Sequence, residues 1–216
     1  MKKTMLGFTI AELLVAISVI AIMGAIITEI FSRSLRGGNK AQIIASIKQN
    51  GQTTLEALDK LIRNSDEIVC PVITVAEIIA AGGSPPPKNS DTVAVVKDGK
   101  YTRFRYKVGS PTTNGYILQD NPVYVAPLSQ ESFLNDVCSN VWNDPNSTDA
   151  VLITDTNTRN GVSVTSATPN IFTRNKKAGF NDSLTISFDL KPGVAAPAAV
   201  AGQIDAVTFT TTIQLR

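Results

Sequence analysis

Between Phe8 and Phe31 the chain reads FTIAELLVAISVIAIMGAIITEIF, and its only charged residues are Glu12 and Glu29. A charge at a bilayer centre costs roughly 3 kcal/mol on insertion scales, so a carboxylate inside a membrane-length apolar run marks a functional residue and must find a partner. Elsewhere the chemistry is narrow. The chain has no histidine, which removes histidine-dependent triads, histidine zinc sites and the commonest general base. It carries no G-x-S-x-G, P-loop, H-E-x-x-H or dinucleotide-type glycine pattern, and no carboxylate pair fixed by spacing. The expectation is a protein that is not an enzyme, with no cofactor and no metal centre.

Three further groups of residues could carry something. Cys70 and Cys138 are the two cysteines, without C-x-x-C spacing. They are read either as one structural bridge, which a loop of that length would make worth roughly 4 kcal/mol in an oxidising compartment, or as two separate thiols. Tyr101, Arg103, Arg105 and Lys107 alternate along one strand-like run, with Lys97 and Lys100 beside its turn. Arg103, Arg105 and Lys107 could contact nucleic-acid phosphates; the bland reading, which is the expectation, is the solvated outer face of a sheet whose inner face is Phe104, Tyr106 and Val108. Asp144, Asn146 and Asp149, and separately Asp155, Asn157 and Gly161, loosely suggest calcium ligands, but neither loop has the closing acid of an EF-hand, and polar turns are expected.

The elements that must position these residues follow from periodicity. At about 1.5 Å per residue, Glu12 and Glu29 lie about 26 Å apart along a helix, close to the roughly 30 Å hydrocarbon core, so each acid sits near one boundary. Gly37-Gly38 follows, a pair expected to break or bend the helix. Ile43, Ile44, Ile47, Leu55, Leu58, Leu61 and Ile62 then recur at three- and four-residue steps, an amphipathic helix over 37–68 that needs a cover. Residues 69–216 read as a β-rich head. Asp98-Gly99 predicts a hairpin, while SLTISFDL and AVTFTTTIQLR each alternate and should pair antiparallel. GGSPPPKN at 82–89 and VAAPAAVAG at 194–202 read as loops, and AEIIAA and SQESFLNDVCSNVW as short helices. A net charge of +2 is too near balance to imply a polyanionic partner by itself.

The N-terminus permits a secretory signal cut after Ala21, but Glu12 interrupts its apolar core and the run continues ten residues further. A closer likeness exists. MKKTML followed by GFTIAELLVAISVIAI, with Gly7, Phe8, Thr9, Glu12, Leu13, Leu14 and Val15 at these spacings, resembles the N-terminal signature of type IV pilins and of the pseudopilins of type II secretion. Glu29 stands where major pilins usually carry proline, so the chain is more similar to minor pilins or pseudopilins. The resemblance covers about the first 30 residues. It implies an α+β lollipop, a leader of residues 1–7 removed by a prepilin peptidase between Gly7 and Phe8, N-methylation of Phe8, and an assembly helix over 8–36.

The implied function is that of a filament subunit, an inner-membrane precursor with its head outside the cytoplasm, later part of an extracellular or periplasmic fibre. Its implied partners are other pilin subunits, the peptidase and the inner-membrane assembly machinery. Glu12 would pair with the amine of a neighbouring Phe8. The rival from another class is a single-pass anchored adhesin or DNA-binding module. Charge does not set the orientation, because Lys2 and Lys3 before the span are outnumbered by Arg33, Arg36 and Lys40 after it.

Overall fold

The structure, a computed structural model, describes residues 9–123, 134, 137, 138, 147–168 and 170–215. One long helix, α1 (Ile10–Arg63), precedes a set of antiparallel strands, so the chain is α+β. It divides into two compact units, Met1–Gln42 and Ile43–Arg216.

In the first unit α1 is long and apolar enough to cross a membrane, with a mean hydropathy of 2.6 over its most apolar stretch, of which 0% is buried. Two of its hydroxyls are satisfied locally: Ser18 Oγ donates to the Leu14 carbonyl and Thr28 Oγ1 to the Gly24 carbonyl, both at 2.8 Å. The helix does not break at Gly37-Gly38 as the sequence suggested. Two exposed glycines cost roughly 1 kcal/mol each, and helix propagation from strong formers on both sides carries the hydrogen bonding across them.

In the second unit α1 buries Ile47, Gly51, Thr54, Leu58 and Ile62, steps of three and four that make one face. The expected stripe is offset, since Leu61 is exposed and Ile43 and Leu55 are only partly covered. Gly51 is there for space. A Cβ on it would lie 2.1 Å from the Phe209 ring, which stacks in turn on Phe188 at 5.7 Å. The helix ends at Arg63 rather than near 68, where both the backbone N–H and the hydroxyl of Ser65 turn back to the Ile62 carbonyl.

The strands are β1 (Glu67–Cys70), β2 (Lys88–Ser90), β3 (Thr92–Lys97), β4 (Lys100–Lys107), β5 (Tyr116–Pro122), β6 (Ser147–Leu152), β7 (Val162–Thr165), β8 (Phe172–Asn175), β9 (Ser183–Pro192) and β10 (Val207–Gln214). One sheet runs β1-β3-β4-β5-β6, the other β10-β9-β8-β2 with β7 also on β9. Asp98 and Gly99, both at positive φ, form the predicted hairpin turn, with Lys97 opposite Lys100. The terminal strands pair as expected, Phe209 facing Phe188 and Ile213 facing Leu184. Strand β2 takes the end of the stretch read as the 82–89 loop. The 194–202 stretch contains a short helix, α3 (Ala198–Ala201).

The two sheets meet where the Val164 N–H donates to the Gly115 carbonyl and the Gly115 N–H to Ser163 Oγ; a Cβ on Gly115 would sit 2.1 Å from the Val164 carbonyl oxygen. The core under them joins Ile47, Leu58 and Ile62 of α1 to Phe104 and Ile117 of one sheet and Phe172, Phe188 and Leu190 of the other. Helix α2 (Val75–Ala80) starts in a capping box of Thr74 and Glu77. Lys88 beside it, then the Thr74 N–H, hold the Glu77 carboxyl below the usual carboxylate range.

Candidate functional site

Glu12 sits at the start of α1 as its third helical residue, with Thr9 as the cap. Its N–H donates to Thr9 Oγ1 at 3.3 Å, while Oε2 accepts from the Thr9 N–H at 2.9 Å and from the Thr9 hydroxyl at 3.0 Å. This reciprocal box satisfies the first orphan donors of the helix, and a carboxylate there also complements the positive end of the helix dipole. Among the described residues Oε1 accepts no hydrogen bond, so the cap engages one oxygen and leaves the other open. Around it Ile10, Leu13, Leu14 and Val15 are 54–82% exposed, an apolar surface that the described residues do not cover. Gly7 and Phe8 lie outside the described residues.

The second acid of the apolar run is paired within its own helix, Glu29 Oε1 accepting from Arg33 Nη2 at 2.5 Å, with both side chains more than half exposed. Arg36 and Lys40 follow and form no ion pair among the described residues.

The chain matches no family model, no curated protein and no solved structure.

Cys70 and Cys138 are joined, their Cα atoms 5.4 Å apart, so the single-bridge reading of the two is the one the structure takes. The bond brings Val137 and Cys138 onto Ala94 and Tyr101 of the first sheet. Nearby, the basic strand departs from the sequence reading. Alternation does put Phe104 and Tyr106 in the core, at 0% and 3% exposed, with the arginines opposite. Arg103 and Arg105 are nevertheless 0% and 1% exposed. Arg103 grips Asp120 through Nε at 3.0 Å and Nη2 at 2.6 Å, Arg105 Nη2 reaches the same carboxylate at 2.7 Å, and Arg103 Nη1 donates to the Val137 carbonyl at 3.3 Å.

These two guanidiniums are therefore an internal ion cluster rather than a solvated face or a patch open to phosphates, because this side of the sheet is covered as well. Lys107 stays exposed, 5.9 Å from the Tyr116 ring centre, and Val108 is exposed rather than inward. The signal in the sequence was Asp120, a carboxylate midway along a strand adjoining the two arginines.

The Asp155 loop forms turns. Asp155 Oδ1 accepts from the Asn157 N–H at 2.9 Å, and Asn157 Oδ1 from the N–H groups of Arg159 and Asn160 at 3.0 Å each. Asn114, which sequence reasoning missed, is 3% exposed and clamps that loop: Nδ2 donates to the carbonyls of Thr156 and Asn157, and Oδ1 accepts from the Val194 N–H. Its signal was the Asn-Gly pair at 114–115, which reads as an ordinary turn. Asp144 and Asn146 lie outside the described residues, as does most of the helix expected over 129–142. Among the described residues no group of three metal-ligating side chains is assembled.

Proposed function

We propose that the protein is a filament subunit of the type IV pilin and pseudopilin kind, nearest to the minor members, made with α1 in a membrane and transferred through that helix into a fibre. The observation that carries this reading is the N-terminal end of α1: an exposed apolar helix that begins with a carboxylate having one oxygen held by Thr9 and the other open among the described residues. Cleavage between Gly7 and Phe8 would create a cationic amine next to the Thr9–Glu12 cap, and N-methylation would preserve its charge. In a bundle of such helices, shielded from water, the amine of one subunit supplies the partner that the open Glu12 oxygen requires, and the pairing fixes the stagger between neighbours. Catalysis has no part in the proposal. In place of the lipid, lateral packing of apolar helices covers the exposed residues of α1, and the β-rich unit is carried outside the cytoplasm.

The test is intact mass followed by assembly. Protein recovered from cells with a matching prepilin peptidase is expected to begin at N-methylated Phe8 and to appear in sheared filaments. Glu12→Ala is expected to be cleaved normally yet excluded from them, since removing one partner of a buried ion pair costs about 3–5 kcal/mol. Normal incorporation of that variant would sink the pairing mechanism. A chain that begins after Ala21, or stays unprocessed and cell-bound, would return it to an anchored or secreted binding module.

A further inference from the structure

The charges at the end of the apolar run and just beyond it have no part in the pairing of Glu12. Glu29, Arg33, Arg36 and Lys40 all lie on α1, and at 3.6 residues per turn they fall within an arc of about 60°, one stripe along the helix. Arg33 is tied to Glu29. Arg36 is exposed and Lys40 part-exposed, and neither makes an ion pair among the described residues. With Glu12 at one boundary of the hydrocarbon core, a rise of 1.5 Å per residue puts Arg33 about 32 Å, Arg36 about 36 Å and Lys40 about 42 Å along the axis. A core of roughly 30 Å within a bilayer of roughly 40–45 Å leaves a headgroup layer that these positions fall in or border, and the flexible stem of Lys40 can reach back into it.

We infer that Arg36 and Lys40 form a docking stripe for anionic phospholipid headgroups in the leaflet on the side of the β-rich unit, with Glu29 restraining Arg33 from joining them. The inference rests on the reading that α1 spans a bilayer, and it holds for either orientation of the chain. Two features select the lipid phosphate as occupant. The stripe continues an apolar surface that is itself 0% buried, so whatever covers one borders the other. Its charge is also complementary to an anionic surface, where each basic side chain contributes about a fivefold gain in association. The stripe would hold the subunit in the membrane before it enters a fibre, and its contacts must be given up on extraction.

The test uses the full chain in proteoliposomes, comparing spin-labelled phosphatidylglycerol with spin-labelled phosphatidylcholine at the protein surface. Extraction at alkaline pH is the control for insertion: a chain released by it lacks the span, and that result would count against the membrane reading itself. For an inserted chain, a severalfold preference for phosphatidylglycerol is expected, falling towards unity in the Arg36→Gln/Lys40→Gln variant and in high salt. Glu29→Gln should raise the preference by freeing Arg33, a gain that a merely structural role would not produce. The inference is overturned if the inserted wild type shows no preference, or if the double variant keeps it. It is equally overturned if the stripe variants lose filament entry while lipid selectivity is unchanged, an outcome that would assign the stripe to carboxylates of a neighbouring subunit.

Discussion

Asp120 and Glu12 are both carboxylates that need a cation, and burial separates their roles. Asp120 is 0% exposed and bonded to two guanidiniums that are themselves 0% and 1% exposed, so its loss removes a buried carboxylate that both share. Asp120→Ala should destabilise the β-rich unit by about 3–5 kcal/mol, read as a lowered denaturation midpoint in urea. Glu12 is exposed and capped, so Glu12→Ala should leave that midpoint unchanged. On the proposed filament reading its effect would fall on assembly, where the surroundings cease to be water. A result in which Asp120→Ala is harmless would mean that the other acceptors of the guanidiniums suffice to hold them and that the fork on Asp120 is incidental.

Among the elements, α1 shows how one amphipathic face is tuned by small residues. Gly51 lets the Phe209 ring lie directly on the helix backbone, in a place where a methyl group would be 2.1 Å from the ring. Gly51→Ala removes a helix-weakening glycine, worth up to about 1 kcal/mol in its favour, but forces the ring and its Phe188 partner outward, an overpacking that typically costs about 1–3 kcal/mol. Overpacking is expected to win by about 1 kcal/mol. Because Phe209 lies on a strand with one partner among the described residues and is only partly buried, Gly51→Ala/Phe209→Leu should recover the difference. Urea midpoints of the single and double variants check this; a stabilised Gly51→Ala would show that the ring moves at no cost. The stripe of apolar residues was legible in the sequence, whereas the glycine at its centre was not, since periodicity counts side chains and is blind to a place where one must be missing.

At the scale of the whole molecule, what was legible followed the range of the physics. Local signals held: the Asp98-Gly99 turn, the pairing of the last two strands and the short helix expected over 76–81, found at Val75–Ala80, depend on neighbours in sequence or on alternation. Signals that depend on distant chain did not: the burial of Arg103 and Arg105 depends on Val137 and Asp120, and the Asn114 clamp on loops about 40 and 80 residues away. Hydrophobic patterning also leaves the continuity of α1 through Gly37-Gly38 undetermined. The chain divides between Gln42 and Ile43. Every member of the main core cluster lies within Ile43–Arg216, and the apolar residues before it belong to the other unit. A fragment of residues 43–216 should therefore be soluble and unfold cooperatively. Its disulfide closes a loop of 68 residues, so reduction or a Cys70→Ser/Cys138→Ser variant should lower stability by about 4 kcal/mol in the chain-entropy model. That loss is large beside the 5–15 kcal/mol of a typical domain, and the reduced fragment should melt at markedly lower temperature. Calorimetry with and without reductant decides it: a fragment with no cooperative transition even when oxidised would show that the β-rich unit needs the preceding helix, and one indifferent to reductant would show that residual structure, rather than the cross-link, already confines the unfolded chain.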